Sequence, residues 1–174
     1  MGEDREVLLE AAQIAGRIDA LARQIAPAVD DETVAVCLLT GGIWFAADLM
    51  RALAVHDRHP LFDALWIASY GDARRSSGAM SIRSGLQRSV DGRRVLLMDD
   101  VFDSGMSVSA AASLVRDAGA CDVLTAVFAR KPWPSPRAIE PDFVAWEAPA
   151  RFLVGYGMDD AGRLRGLPEI AALD

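Results

Sequence analysis

Val95-Leu96-Leu97-Met98-Asp99-Asp100-Val101-Phe102-Asp103-Ser104-Gly105-Met106-Ser107 is the stretch from which the fold of this 174-residue chain is read. Val95 to Met98 is an unbroken apolar run, the pattern of a strand buried on both faces. It delivers two adjacent carboxylates, Asp99 and Asp100, to its end. Asp103 to Ser107 then reads as a tight turn of small polar residues. Val108, Ala111, Ala112 and Val115 follow at steps of three and four, so a helix is expected near Ser104 to Ala118.

The same order of strand, turn and helix recurs on both sides. Thr33 to Leu39 is a second apolar run, followed by Thr40-Gly41-Gly42 and a helical pattern from Ile43 to Val55. Ala64 to Ala68 leads into Ser69-Tyr70-Gly71, and Val123 to Ala129 ends at Arg130-Lys131-Pro132. Shorter strand-like pieces lie at Asp142 to Trp146 and Arg151 to Val154. Residues 8–25 read as an amphipathic helix with Leu8, Ala11, Ala15, Ile18, Ala22 and Ile25 on one face. Residues 71–79 are small and polar and predict an exposed, mobile loop. Apolar strands alternating with helices make an α/β fold with a parallel central sheet flanked by helices. One domain covering 1–174 is expected, since nothing in the composition breaks it in two.

Charge and composition exclude several classes. There are 25 acidic and 18 basic residues, a formal charge of −7, and nucleic acids or anionic membranes call for a basic footprint instead. No apolar run approaches about 18 residues, so a membrane span is not expected. The polar N-terminus lacks a signal-peptide core, so the cytoplasm is the expected location. Cys37 and Cys121 each sit in an apolar run and read as buried free thiols. His56 and His59 fall in a polar turn without neighbouring ligands, so no zinc site is expected. Of the 18 basic residues, 17 are arginine and Lys131 is the single lysine.

In parallel sheets the ligand lies beyond the carboxyl ends of the strands. Thr40-Gly41-Gly42, Asp99-Asp100 and Lys131 all fall there. The N–H groups that open the helix after Asp103 lack intrahelical partners, and the helix dipole is positive at that end, so the turn can cradle a phosphate. Ser104 and Ser107 add hydroxyls, and Gly105 lets the backbone come close. Two carboxylates beside a phosphate make sense if they hold neutral hydroxyls or a divalent cation travelling with the ligand. A phosphorylated sugar with vicinal hydroxyls and Mg²⁺ meets these demands. Dinucleotide and Gly-Lys-Ser/Thr phosphate-loop fingerprints are absent. Paired acids also mark response-regulator receiver domains, but without a phosphate turn behind them. A helix cap at Asp103 or Ser104 would explain one residue and leave Asp99, Asp100 and Gly105 without a role.

This segment resembles the motif with which type I phosphoribosyltransferases bind 5-phosphoribosyl-1-pyrophosphate (PRPP). The flanks resemble the hypoxanthine-guanine phosphoribosyltransferases: Leu39 to Gly42 at the pyrophosphate loop, Ser69-Tyr70-Gly71 at the start of the flexible lid, Lys131-Pro132, Pro141 to Val144, Phe152 to Gly157, Asp159, and Arg165-Gly166-Leu167-Pro168. The resemblance implies the type I fold, with a core at about 30–130 and a small hood from about 1–20 and 131–174. It implies Mg²⁺-dependent transfer of phosphoribosyl to N9 of a 6-oxopurine, with release of pyrophosphate, in purine salvage. Asp99, Asp100, Asp103, Ser104, Gly105, Met106 and Ser107 would bind PRPP, and Asp103 would exchange a proton with the base. Thr40, Gly41 and Arg165 would bind pyrophosphate. Lys131, Phe152, Leu153 and Asp159 would bind the purine, and Asp99, Asp100 and Asp159 would hold metal. The other expected partners are the nucleotide product and further copies of the chain, as a homodimer or homotetramer.

The pattern departs from the family in places. Thr40 stands where many members have a basic residue, Asp99 replaces the more frequent Glu, and Ser104 and Ser107 replace threonines. Arg74-Arg75-Ser76-Ser77 is not a close match to the lid. A xanthine-preferring transferase and a regulatory protein that binds PRPP or a nucleotide on the same fold are the alternatives.

Overall fold

The structure is a computed structural model that describes residues 5–69 and 80–173. In chain order the elements are β1 (Arg5–Leu9), α1 (Ala11–Ile25), β2 (Val34–Leu38), α2 (Ile43–Val55), β3 (Leu61–Ser69) and β4 (Met80–Ser84). They continue with β5 (Arg94–Phe102), α3 (Met106–Asp117), β6 (Asp122–Arg130), β7 (Phe143–Glu147), β8 (Phe152–Val154) and β9 (Ile170–Leu173).

The central sheet has six strands in the order β4-β3-β2-β5-β6-β7. All neighbours are parallel except β3 and β4, which run antiparallel at one edge. Alternation along each strand divides the core. Val34, Val36, Leu38, Val95, Leu97 and Val127 pack with Val108, Ala111, Ala112 and Val115 of α3. Ala35, Cys37, Leu96, Met98, Ala126 and Phe128 pack instead with α1 and α2. Coverage of both faces is why the strands are apolar throughout, and it leaves the carboxyl ends of β2, β5 and β6 as the place for a ligand.

A second sheet, antiparallel and three-stranded, has the order β1-β9-β8. It brings Arg5 opposite Leu173 and Phe152 opposite that same residue on the other side. Tyr156, just beyond β8, fixes this layer to the core. Its hydroxyl donates to Asp48 Oδ2 of α2 at 2.8 Å, and its ring packs on Phe128 at 5.1 Å between centroids.

Four expectations change. The first helix begins at Ala11, not at residue 8, because Arg5–Leu9 pairs with β9 as a strand. Backbone pairing with a distant strand there outweighs the helical spacing of Leu8. β5 runs through Phe102, so Asp99 and Asp100 lie within the strand, with Asp99 paired to Val127 of β6. The antiparallel edge strand β4 was not expected. Cys37 is buried, but Cys121 is exposed; it precedes β6 at a turn where its N–H donates to Arg93 O at 2.9 Å. The loop expected at 71–79 lies outside the described residues.

Candidate active site

Asp99 and Asp100 are consecutive on β5 and their carboxyls hydrogen-bond to each other, yet each borders a different feature. Asp99 lines a cavity of about 250 Å³ formed with Phe102 and every residue from Asp103 to Val108. Gly105 makes that turn possible. Its φ of +76° is left-handed, and a Cβ there would come within 2.7 Å of the Phe102 ring. The helix ladder of α3 resumes with Ser109 N–H on Gly105 O at 2.9 Å. The N–H groups before it are the orphan donors of a helix start, and Ser104 Oγ accepts from Met106 N–H at 3.4 Å. The cavity is therefore bordered by the start of α3 and the hydroxyl residues Ser104 and Ser107, together with the two acidic residues Asp99 and Asp103.

Asp100 faces the turn after β2. A Cβ on Gly41 would fall 1.9 Å from Asp100 Oδ2, so only glycine permits this approach. Thr40 is exposed, and the Leu39–Thr40 peptide is cis. On its other side Gly41 meets Gly157, where a Cβ would lie 2.2 Å from Gly41 O. Arg165 closes the group. It donates to the Gly157 carbonyl and pairs with Asp159 Oδ1 at 2.7 Å.

Burial raises the proton affinity of both Asp99 and Asp100, and for Asp99 the neighbouring charge of Asp100 adds to it. Hydrogen bonds from the Asp99 carboxyl and the Val101 N–H, and then the charge of Arg165, pull Asp100 partly back down. Desolvation and the same two carboxylates push the Cys37 thiol up to about 12, so it is no nucleophile.

Lys131 enters from the end of β6. Its N–H donates to Phe102 O at 3.0 Å, and Nζ lies 3.5 Å from Asp103 Oδ2. Its side chain is 14% exposed against 45% for Asp103. A nearly buried ammonium thus stands beside a half-exposed carboxylate that itself lines the cavity.

A family model described as a phosphoribosyl transferase domain matches residues 4–161. The hypoxanthine-guanine phosphoribosyltransferase of Bacillus subtilis (strain 168) is 33% identical over 169 residues, covering 97% of this chain and 92% of its own. That of Aquifex aeolicus (strain VF5) is also 33% identical, covering 97% and 94%. The chain belongs to the hypoxanthine-guanine phosphoribosyltransferase family. A hypoxanthine phosphoribosyltransferase from Staphylococcus aureus superposes with a TM-score of 0.88 at 27% identity, over 97% of this chain and 91% of that one. A further fold match, at 24% identity and a TM-score of 0.87, is the Trypanosoma cruzi hypoxanthine phosphoribosyltransferase in complex with the product IMP; it covers 99% of this chain and 95% of that one.

Three groups of the phosphoribosyltransferase's expected residues come together. Asp99 and Asp103 to Ser107 share the cavity, Lys131 meets Asp103, and Asp100, Gly41, Arg165 and Asp159 form the neighbouring cluster. Leu153 is buried in the second sheet and Phe152 is half exposed at the start of β8, where both pair with β9 and neither lines the cavity. Ser69 ends β3, and Tyr70 lies outside the described residues. Among the described residues no three acidic, histidine or cysteine side chains group as a preformed cation site, and no helix is long and apolar enough to cross a membrane. Two residues escaped sequence reading. Tyr156 was seen only as part of a resemblance. Arg137 was marked by nothing except its place at the end of a proline-rich stretch.

Proposed function

We propose that this enzyme transfers the phosphoribosyl group of PRPP to N9 of hypoxanthine or guanine and releases pyrophosphate, as a purine salvage reaction in the cytoplasm. The observation that carries this reading is the Lys131–Asp103 pair, 3.5 Å apart, with Asp103 lining the cavity at the start of α3. One residue reads a 6-oxo group and the other handles a ring proton, beside a seat for the 5′-phosphate.

The Asp103 to Ser107 turn holds the 5′-phosphate with N–H groups and hydroxyls. Asp99 and Asp100 hold the ribose hydroxyls. Their all-oxygen character and raised proton affinity fit a hard divalent cation, whose charge relieves the buried pair. These two carboxylates, with Asp159, are the residues that would hold Mg²⁺. When bound, Mg²⁺ supplies charge neutralisation to the departing pyrophosphate. Asp159 is paired to Arg165, so a metal held there would share the carboxylate with a guanidinium placed for pyrophosphate. The exposed Thr40 and the N–H of Gly41 complete that subsite.

Lys131 donates to O6 of the purine. An ammonium has no acceptor, so it meets the 6-amino group of adenine as donor against donor. Phe152 stacks on the base, while the backbone at Leu153 and Asp159 meets the edge near position 2. Asp103 exchanges the proton of the ring nitrogen as the glycosidic bond forms. Ser69 and Tyr70 begin the lid that excludes water from the reacting sugar. The same reading has the chain assemble as a homodimer or homotetramer, which light scattering measures directly.

The test is pyrophosphate release from PRPP with hypoxanthine, with and without Mg²⁺. Release that requires both base and metal supports the reading. Tight PRPP binding without release sinks it in favour of a PRPP-binding regulator.

A further inference from the structure

We infer that Arg137 is a positioning residue that sets base selectivity by holding Asp103 and Lys131 in register; the inference rests on the function proposed above. Its side chain is 9% exposed. Nε donates to the carbonyl of Asp103 at 2.7 Å, and Nη2 donates to the carbonyl of Lys131. Nη1 faces the Glu140 carboxylate, 3.1 Å from Oε1. The guanidinium lies over the Phe102 ring, with Cζ 4.9 Å from its centroid.

Each contact bears on the chemistry. Asp103 and Lys131 belong to different segments, and the distance between their side chains is what distinguishes a 6-oxopurine reader from two unrelated surface charges. A backbone bond from Lys131 N–H to Phe102 O is one tie between the segments. Arg137 adds two more from a single rigid fork, which is the geometry a guanidinium has and an ammonium lacks. The ring beneath it is the one that fills the space under Gly105, so the phosphate turn rests on the same support. The chain reaches Arg137 through Lys131-Pro132-Trp133-Pro134-Ser135-Pro136, where every second residue is proline. Prolines fix φ and leave little slack between the lysine and the arginine that braces it. Arg137 touches no reacting atom in this arrangement. It acts through the two residues that do.

The experiment compares wild type with Arg137→Lys and Arg137→Gln in kcat/KM for hypoxanthine and for adenine, in the KM for PRPP, and in thermal midpoint. The hypoxanthine-to-adenine ratio is expected to fall about tenfold in both variants, the effect of loosening one charge-assisted hydrogen bond. The KM for hypoxanthine rises while that for PRPP stays within about twofold, because the phosphate turn keeps its own donors and the Phe102 ring beneath Gly105. Glu140→Gln keeps the fork but removes the carboxylate that orients it, and lowers the ratio about threefold. That variant carries the test if the Arg137 substitutions do not fold. A role confined to stability would lower the midpoint and leave the ratio unchanged, which overturns the inference. A wild-type ratio in Arg137→Lys or in Glu140→Gln overturns it too. No turnover of hypoxanthine by the wild-type chain overturns the proposed function itself, and this inference with it.

Discussion

Replacing Lys131 with methionine separates recognition from stability, because the residue's two interactions differ in size. In the folded protein its ammonium faces Asp103 at 3.5 Å, and the Asp103 side chain is 45% exposed. A pair so open to water contributes about 1 kcal/mol at most. Methionine retains the length of the stem, so little packing is lost from a side chain that is 14% exposed. The proposed bond to a purine O6 is different in kind. It would form inside a closed complex between a charged donor and a carbonyl, and such a bond contributes about 1.5–3 kcal/mol. In kcat/KM for hypoxanthine that is a loss of about 10-fold to 150-fold. Adenine gains at the same time, since the donor that opposed its amino group is gone. The assay is kcat/KM for each base at saturating PRPP, with urea unfolding alongside. We predict a collapse of the hypoxanthine preference with a stability change of less than about 1 kcal/mol. An unchanged preference refutes the assignment of Lys131. A fall in stability that accounts for the lost activity refutes the partition between the two interactions.

Two further outcomes follow from the same geometry. Asp99 and Asp100 bind protons more tightly folded than unfolded, so the folded state holds the extra protons as pH rises through the ordinary carboxylate range. Stability from this pair is therefore present at low pH and lost as pH rises towards the raised folded values. Asp100→Asn should gain stability over wild type at pH 7.5 without divalent metal, and the gain should vanish towards pH 4; urea unfolding at both values checks this, and an equal gain at both contradicts it. Tyr156→Phe removes the 2.8 Å bond to Asp48 while keeping the ring on Phe128. It should lower unfolding stability by about 0.5–1.5 kcal/mol, and an unchanged urea midpoint would show that the bond does not fasten the second sheet.

Local pattern made the strand–turn–helix units legible. Val95 to Met98, the Asp103 to Ser107 turn and the α3 face are each specified by neighbours in sequence, and they fold as read. The place of Asp99, Asp100, Thr40-Gly41 and Lys131 at one edge followed from the rule for parallel sheets. What escaped depends on partners far along the chain. Arg5–Leu9 becomes a strand only because residues 170–173 pair with it, and no window around Leu8 contains that information. Asp99 and Asp100 looked like the end of β5, yet β6 continues beside it as far as Arg130. Cys121 sits in a run that looks apolar, but the turn before β6 turns it outward. Arg137 was hidden among 17 arginines. Its value lies in two carbonyls, and backbone acceptors leave no mark in a sequence.

The central claim is that this one site joins PRPP to a base chosen by its 6-oxo group. The most direct measurement supplies PRPP and Mg²⁺ with an equimolar mixture of hypoxanthine, guanine, xanthine and adenine, and identifies by chromatography which nucleotides form. The account predicts the nucleotides of hypoxanthine and guanine, with that of adenine absent or minor. Preferential formation of the adenine nucleotide, or no nucleotide from any 6-oxopurine, would contradict it.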